Sequence, residues 1–250
     1  MKKFDFTNET KVYEGITLHR IVALRSFGDV KKGDKGGWLQ YKKNLSHNGK
    51  CWVYDESIVS DDAQVRENAK IRGRSEILWN ASVFGNAIIE CSRVNGFSIV
   101  SGNTYVSNSF IENASYVHGN ASIYDSRIFH NGEVFGNALI SGDSTICCNA
   151  KIFGNAIIQL DSHINDHVSV SGKVVISNLN LAGNAKIESS TDFIAFSLPW
   201  LKDTVVWTKS NDLFYYSNRL YSRNDFYNAK PCQYHGRRFF EEVLRVTERI

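Results

Sequence analysis

An aliphatic residue recurs every six positions through the middle of the chain: Val53, Val59, Val65, Ile71, Ile77, Val83 and Ile89. A step of five leads to Val94, Val100 and Val106, and another to Ile111, Val117 and Ile123. A third opens the run Ile128, Val134, Ile140, Ile146, Ile152, Ile158, Ile164, Val170 and Ile176, and a fourth reaches Leu181 and Ile187. Two positions before each aliphatic stands a small residue, as at Ser57, Ala63, Ala69, Ser75 and Ala81; only Val168, Val174 and Leu179 are clearly larger. Two columns kept in register over 24 repeats mark a repeat architecture in which each short unit buries its apolar face only by stacking on its neighbours.

A period of six suits a triangular coil of three short strands, with the aliphatic pointing inward from each flat face and the small residue where the chain bends. The 24 repeats then make eight coils, a rod roughly 38 Å long at about 4.8 Å per stacked strand. Asn or Asp often precedes the small residue, as at Asp62, Asn68, Asn80, Asn86, Asn137, Asn149 and Asn155. These residue types tolerate positive φ, so the corners are expected there. Solenoid ends leave strand edges unpaired and need covers. The expected architecture is therefore all-β: a parallel β-helix of about eight coils over 45–191, a small β-rich N-terminal cap over 1–44 and an α+β C-terminal cap over 192–250. In the first cap, strands are expected at Phe4–Phe6, Lys11–Tyr13 and Ile16–Leu24. In the second they are expected at Thr204–Lys209, Leu213–Tyr216 and Arg219–Ser222. An amphipathic helix follows from about Arg237, with Phe240, Val243, Leu244, Thr247 and Ile250 on one face, packed on the rod or a sister chain.

The repeat, with phrases such as Phe84-Gly85-Asn86-Ala87 and Phe153-Gly154-Asn155-Ala156, resembles the left-handed β-helix of the hexapeptide acyltransferase superfamily over residues 51–191. That resemblance implies a left-handed coil and a homotrimer, and says little about chemistry, because one scaffold hosts many functions. The opening segment, from Thr17-Leu18-His19-Arg20 through Phe27-Gly28-Asp29-Val30 to Gly36-Gly37-Trp38-Leu39, resembles that of bacteriophage and prophage β-helix proteins labelled as transferases. This second likeness implies a viral context, with the host cytosol as the site of action.

Three outward faces follow from three repeats per coil. On face A, the column before the aliphatics reads Trp52, Lys70, Ile88, Tyr105, Ser122, Leu139, Ile157, Val175. On face C, the column after them includes Phe84, His118, Phe135 and Phe153, whereas face B is more polar. Apolar stripes of this length are expected to be covered by sister chains.

Charge sharpens the picture. The net charge is +3, but residues 1–50 carry 11 Lys/Arg against 5 Asp/Glu, residues 51–191 carry 9 against 14, and residues 192–250 carry 9 against 7. Basic ends thus flank an acidic rod, which suits an anionic partner. Five cysteines without a C-x-x-C spacing fit a reduced, cytoplasmic protein rather than a disulfide scaffold or zinc site. No signal sequence is expected at the N-terminus, and no membrane span, since no apolar run is long enough.

Candidate chemistry is sparse. Ile128-Phe129-His130-Asn131 resembles the Ile-Ala-His-Asp/Asn stretch of loop-free UDP-sugar acyltransferases, a likeness that implies His130 as a general base. Independently, Asn113, His130, Cys148 and Asp166 fall at one corner on successive coils, placing His130 beside Cys148. Polar residues are ordinary at corners, so catalysis by either is the weaker reading. No metal site and no cofactor is expected. The caps offer aromatic planes among basic residues: Arg20, Arg25 and Trp38 at one end, Trp200, Trp207, Tyr216, Lys202, Arg219 and Arg223 at the other. Together with His118 on face C, these suit a small anionic ligand through stacking and phosphate pairing. The low total charge disfavours nucleic acid. The favoured expectation is a phage-type, non-catalytic protein that sequesters a nucleotide-derived host defence signal. An acyltransferase using His130 and a structural, protein-binding component are the alternatives.

Overall fold

The computed structural model describes residues 2–197, 204–228 and 234–249; Trp200, Lys202 and Cys232 and the side chains of Phe240 and Ile250 lie outside the described residues. The chain opens with β1 (Phe4–Tyr13), β2 (Ile16–Ala23) and β3 (Lys35–Leu39). It continues through 24 short strands, β4 to β27, from Trp52–Val53 to Lys186–Ile187. These 24 strands form three parallel faces of eight rungs each. Every aliphatic of the six-residue repeat is a strand residue that points inward, and all are between 0% and 1% exposed.

Register between coils is fixed by direct stacking: Ile88 and Ile89 pair with Lys70 and Ile71 below and with Tyr105 and Val106 above. Buried serines add a second ladder. Ser75 Oγ accepts the Ser92 amide at 3.1 Å, Ser92 Oγ that of Ser109 at 3.0 Å, and Ser109 Oγ that of Ser126 at 3.1 Å. Each hydroxyl thereby satisfies backbone at a bend where a larger side chain would not fit.

At the corners the structure corrects one expectation. Of the Asn and Asp residues named for positive φ, only Asn149 adopts it; Asp61, Glu67 and Trp79 take that role one residue earlier at their corners, as do Gly85, Gly136 and Gly154. Where glycine takes that place, stacking requires it. Gly119 has φ +74°, and a Cβ there would lie 2.9 Å from the Gly136 amide nitrogen, so the left-handed position at this edge is also the tightest. The following asparagines instead face outward and bond along the rod. Asn68, Asn86, Asn103, Asn120 and Asn137 each donate Nδ2 to the Oδ1 of the next, ending on Asn155, at 2.8–3.1 Å.

The N-terminal residues form a hairpin rather than three separate strands. β1 runs unbroken from Phe4 to Tyr13, with an irregularity between Phe6 and Thr10, and pairs antiparallel with β2. The polar Thr7-Asn8-Glu9 stretch, read from sequence as a break, stays extended because pairing with β2 resumes beyond it. β3 then pairs parallel with β5 (Ile58–Val59), and Leu45 bridges to Val65 in parallel. Residues 38–45 therefore add part of a further turn below the eight full coils. The hairpin lies over the start of face B, where Leu18, Trp38, Ile58 and Leu78 form a small buried cluster. Phe4 and Phe27 meet the Trp52 ring, which is why Trp52 is only 1% exposed although its column points outward.

The C-terminal cap is a four-stranded antiparallel sheet: β28 (Phe193–Phe196), β29 (Val205–Thr208), β30 (Leu213–Tyr216) and β31 (Arg219–Tyr221). β28 and the short helix α1 (Arg223–Asn228) had no signal in the hydrophobic pattern. α2 spans Tyr234–Thr247, beginning before Arg237. Alternation along β29 decides the packing: Val206 joins the rod core, while Val205 and Trp207 join Phe214, Phe226, Val243 and Leu244. The terminal helix thus packs on the cap sheet, and that sheet packs on the rod. Among the described residues no helix is long and apolar enough to cross a membrane.

Candidate functional site

Each expected ligand residue is placed by a different element, and the structure distributes them over three regions. At the N-terminal end, Arg20 on β2 and Trp38 on β3 stand together. The Arg20 guanidinium lies 5.0 Å from the indole centre and Lys11 Nζ 4.6 Å from it. Both are tied to Glu56, which accepts from Arg20 at 2.6 Å, from Trp38 Nε1 at 2.9 Å and from Lys11 at 3.4 Å. The Arg20 hydrogen bond, aided by Trp38 and opposed by burial, holds the Glu56 carboxyl below its ordinary value. The cluster therefore fastens the hairpin to the first rungs through one carboxylate shared by two cations; an incoming phosphate would compete with Glu56. Arg25 lies over Phe27 instead, 5.8 Å from its centre.

At the other end, Asp212 gathers the cap. It accepts from Trp207 Nε1 at 2.7 Å and from Arg223 Nε at 3.0 Å and Nη2, while Arg223 Nη1 donates to Thr247 Oγ1 at 3.0 Å. Arg223 also covers the Phe214 ring at 5.5 Å, so this side chain joins α1, α2 and the sheet. Tyr216 pairs with the exposed Arg219 across the β30–β31 turn. A shallow pocket of about 350 Å³ opens beside Arg223, Asn224, Tyr227, Leu244 and Glu248. The two cap clusters sit at opposite ends of eight rungs, roughly 38 Å apart at about 4.8 Å per rung, so no small ligand could touch both within one chain.

The third region is the rod surface. Asn113, His130, Cys148 and Asp166 do occupy one corner on successive coils, each with positive φ of 47–56°. His130 and Cys148 are rung neighbours, since the Asn149 amide donates to the His130 carbonyl at 3.2 Å, yet no hydrogen bond joins their side chains. The exposed His130 ring lies edge-on to Phe129 at 4.8 Å. Next to Cys148, burial pushes the Cys147 thiol up to about 12, leaving it protonated and a poor nucleophile at neutral pH. His118 belongs elsewhere. It stacks on Phe135 at 4.9 Å, Phe135 stacks on Phe153 at 4.8 Å, and its Nε2 is 3.4 Å from Glu133 Oε1.

This aromatic column of face C flanks the corner that carries the asparagine ladder. Across the corner runs the face A column of Ile88, Tyr105, Leu139 and Ile157, each half-buried. One edge of the prism thus carries apolar stripes on both sides. Two guanidinium–ring pairs went unseen in the sequence: Arg66 lies over Phe84 at 5.2 Å beside this edge, and on face B Arg127 lies over Phe110 at 5.3 Å. Neither arginine pairs with a carboxylate among the described residues. The signal was present, because each pair shares a column one coil apart. At the B–C corner, Trp79 and Phe97 are 53% and 69% exposed, large for solvated aromatics. Among the described residues no three His, Cys, Asp or Glu side chains are grouped to hold a metal ion.

Fold and repeat together define a hexapeptide-repeat-like β-solenoid. No protein-family model matches the chain. A stretch of 68 residues is 28% identical to the Escherichia coli (strain K12) protein named "Uncharacterized acetyltransferase YdcK". The match covers 24% of this chain and 21% of that protein, so it spans about a fifth of the relative's length and marks a distant similarity.

Proposed function

We propose that this chain is a binding protein that works as a homotrimer. The apolar edge between faces A and C is buried against sister chains, and a small anionic ligand is held in the cleft beside it. The observation that carries this reading is the pair of apolar stripes flanking one edge, which a solitary rod would leave in water. Arg66 on Phe84 supplies the chemistry at that edge: a guanidinium without a carboxylate partner among the described residues, preorganised over a ring, suits a phosphate with a flat base. The basic caps, with Arg20, Arg25, Arg219 and Arg223, raise the local concentration of such anions even where their own charges are matched. The phage-like opening segment points to a nucleotide-derived host defence signal, taken up intact rather than turned over.

The distant similarity to an acetyltransferase favours a second reading, in which His130 at its exposed corner serves as general base toward an acyl thioester. One experiment separates the two. The protein is mixed with a panel of cyclic and ADP-ribose-type nucleotides, and free ligand is measured before and after heat denaturation. Depletion with full chemical recovery, weakened by salt and by Arg66→Ala, supports binding. Hydrolysis of an acyl thioester that falls by roughly 10² in His130→Ala supports catalysis instead. Neither result, with a protein partner recovered, leaves a purely structural role.

A further inference from the structure

One buried pair joins the N-terminal segment to the first coil. Lys3, at the start of the chain, is 0% exposed, as is Cys51, where the first full coil begins. Lys3 Nζ donates to the Cys51 carbonyl at 2.8 Å and lies 3.1 Å from Cys51 Sγ. The Phe27 ring lies 5.2 Å from Nζ, and the other neighbouring ionisable groups, Arg25 and His47, are basic. Backbone oxygens of Ser46, Asn48 and Val65 surround the sulfur at 3.6–3.7 Å. Fully buried lysines are rare, and this one touches a thiol with no carboxylate to match it among the described residues.

We propose that Lys3 and Cys51 are a modification site: an oxidation-triggered covalent link between Nζ and Sγ that clamps the N-terminal strand to the first coil. Burial lowers the Lys3 ammonium and raises the Cys51 thiol, so it weighs against a charge on either group, and the amine is a nucleophile once Nζ has given up its proton. The oxidant is a peroxide. The thiol passes its proton to Nζ, sulfur attacks one peroxide oxygen, the O–O bond breaks, and the departing hydroxide takes the proton back from Nζ as water. The Nζ lone pair then attacks the sulfenyl sulfur, the S–O bond breaks, and hydroxide leaves with an Nζ proton as a second water. One thiol, one amine and one hydrogen peroxide thus give one S–N bond and two waters. Sulfur is oxidised and peroxide oxygen reduced. Peroxide reaches the sulfur by local opening of the exposed Asn48-Gly49-Lys50 bend without unfolding the rod.

The test uses the full reduced chain, graded hydrogen peroxide and peptide mapping under non-reducing conditions. The expected result is a Lys3 peptide joined to a Cys51 peptide, about 2 Da lighter than their sum, and released by dithiothreitol. The species is absent from Cys51→Ser and from Lys3→Arg, whose guanidinium is a donor but not a nucleophile. Urea unfolding of the wild type should shift to higher denaturant after peroxide and return after reduction. Recovery of Cys51 as free thiol, sulfinic acid or sulfonic acid, with Lys3 still cleaved by trypsin, would overturn the proposal. That readout needs only wild-type protein, so a variant that fails to fold does not protect the idea.

Discussion

Replacing Ile146 with Asp tests the inward register at one atom's reach. Ile146 sits on β20 (Thr145–Ile146) with Ile128 below and Ile164 above, and all three are 0% exposed. Losing the isoleucine contacts and leaving space costs about 2–5 kcal/mol, as for an Ile→Ala change at a buried site. The carboxylate adds a separate penalty. No cation reaches the interior here, so the new group takes up a proton, and doing so at pH 7 from an ordinary carboxylate pKa costs about 4 kcal/mol. The total of about 6–9 kcal/mol rivals the whole stability of a typical domain. Two controls divide it. Ile146→Ala should lose only the first part, and Thr145→Asp, one residue away but facing outward, should stay within about 0.5 kcal/mol. The carboxylate part also has a sign. An Asp whose folded pKa is raised binds protons more tightly in the folded state, so the gap between Ile146→Asp and Ile146→Ala should close as pH falls toward 4. Urea unfolding followed by circular dichroism at several pH values reads all of this. Ile146→Asp within about 1 kcal/mol of wild type, or a gap indifferent to pH, would refute the inward placement.

Three further outcomes are expected. Charging the apolar edge with Leu139→Asp and Ile157→Asp together should dissociate the assembly in sedimentation velocity while leaving the circular dichroism unchanged, and a monomeric wild type would reject that interface. Asn120→Ala removes two links of the asparagine ladder, to Asn103 and Asn137, and should cost about 1–2 kcal/mol in urea unfolding, whereas Asn131→Ala, bonded only to Asn149, should cost less. The Arg223 hydrogen bond, joined by that of Trp207 and opposed by burial, holds the Asp212 carboxyl below its ordinary value. Its stabilising contribution is therefore complete above about pH 4 and lost as pH falls through the depressed folded pKa. Protection of the Val205–Thr208 amides, measured relative to their intrinsic exchange rates at each pH, should fall in that acid window, and in Asp212→Asn it should already be low at neutral pH.

The six-residue period by itself determined the rod. Each inward aliphatic could be named because a triangular coil repeats its burial pattern at fixed spacing, and a slip of one residue would turn the whole column outward. The same arithmetic placed His130 and Cys148 on neighbouring rungs and sorted the outward columns onto faces. What it could not supply were interactions set by neighbours distant in sequence. Trp52 belongs to an outward column yet is buried, because Phe4 and Phe27 from the N-terminal hairpin close over it. Arg20 and Arg223 look like free cations in the sequence; Glu56 and Asp212, 36 and 11 residues away, pair with them. The left-handed corner residues fall one place before most of the named asparagines, with or without a side chain, and inter-coil crowding decided only where glycine was needed. Lys3 and Cys51 met only because the hairpin folds back on the first coil, 48 residues on. A repeat writes its core into the sequence, since every rung solves the same local problem. Caps and surface pairs are single solutions, and only the assembled structure contains them.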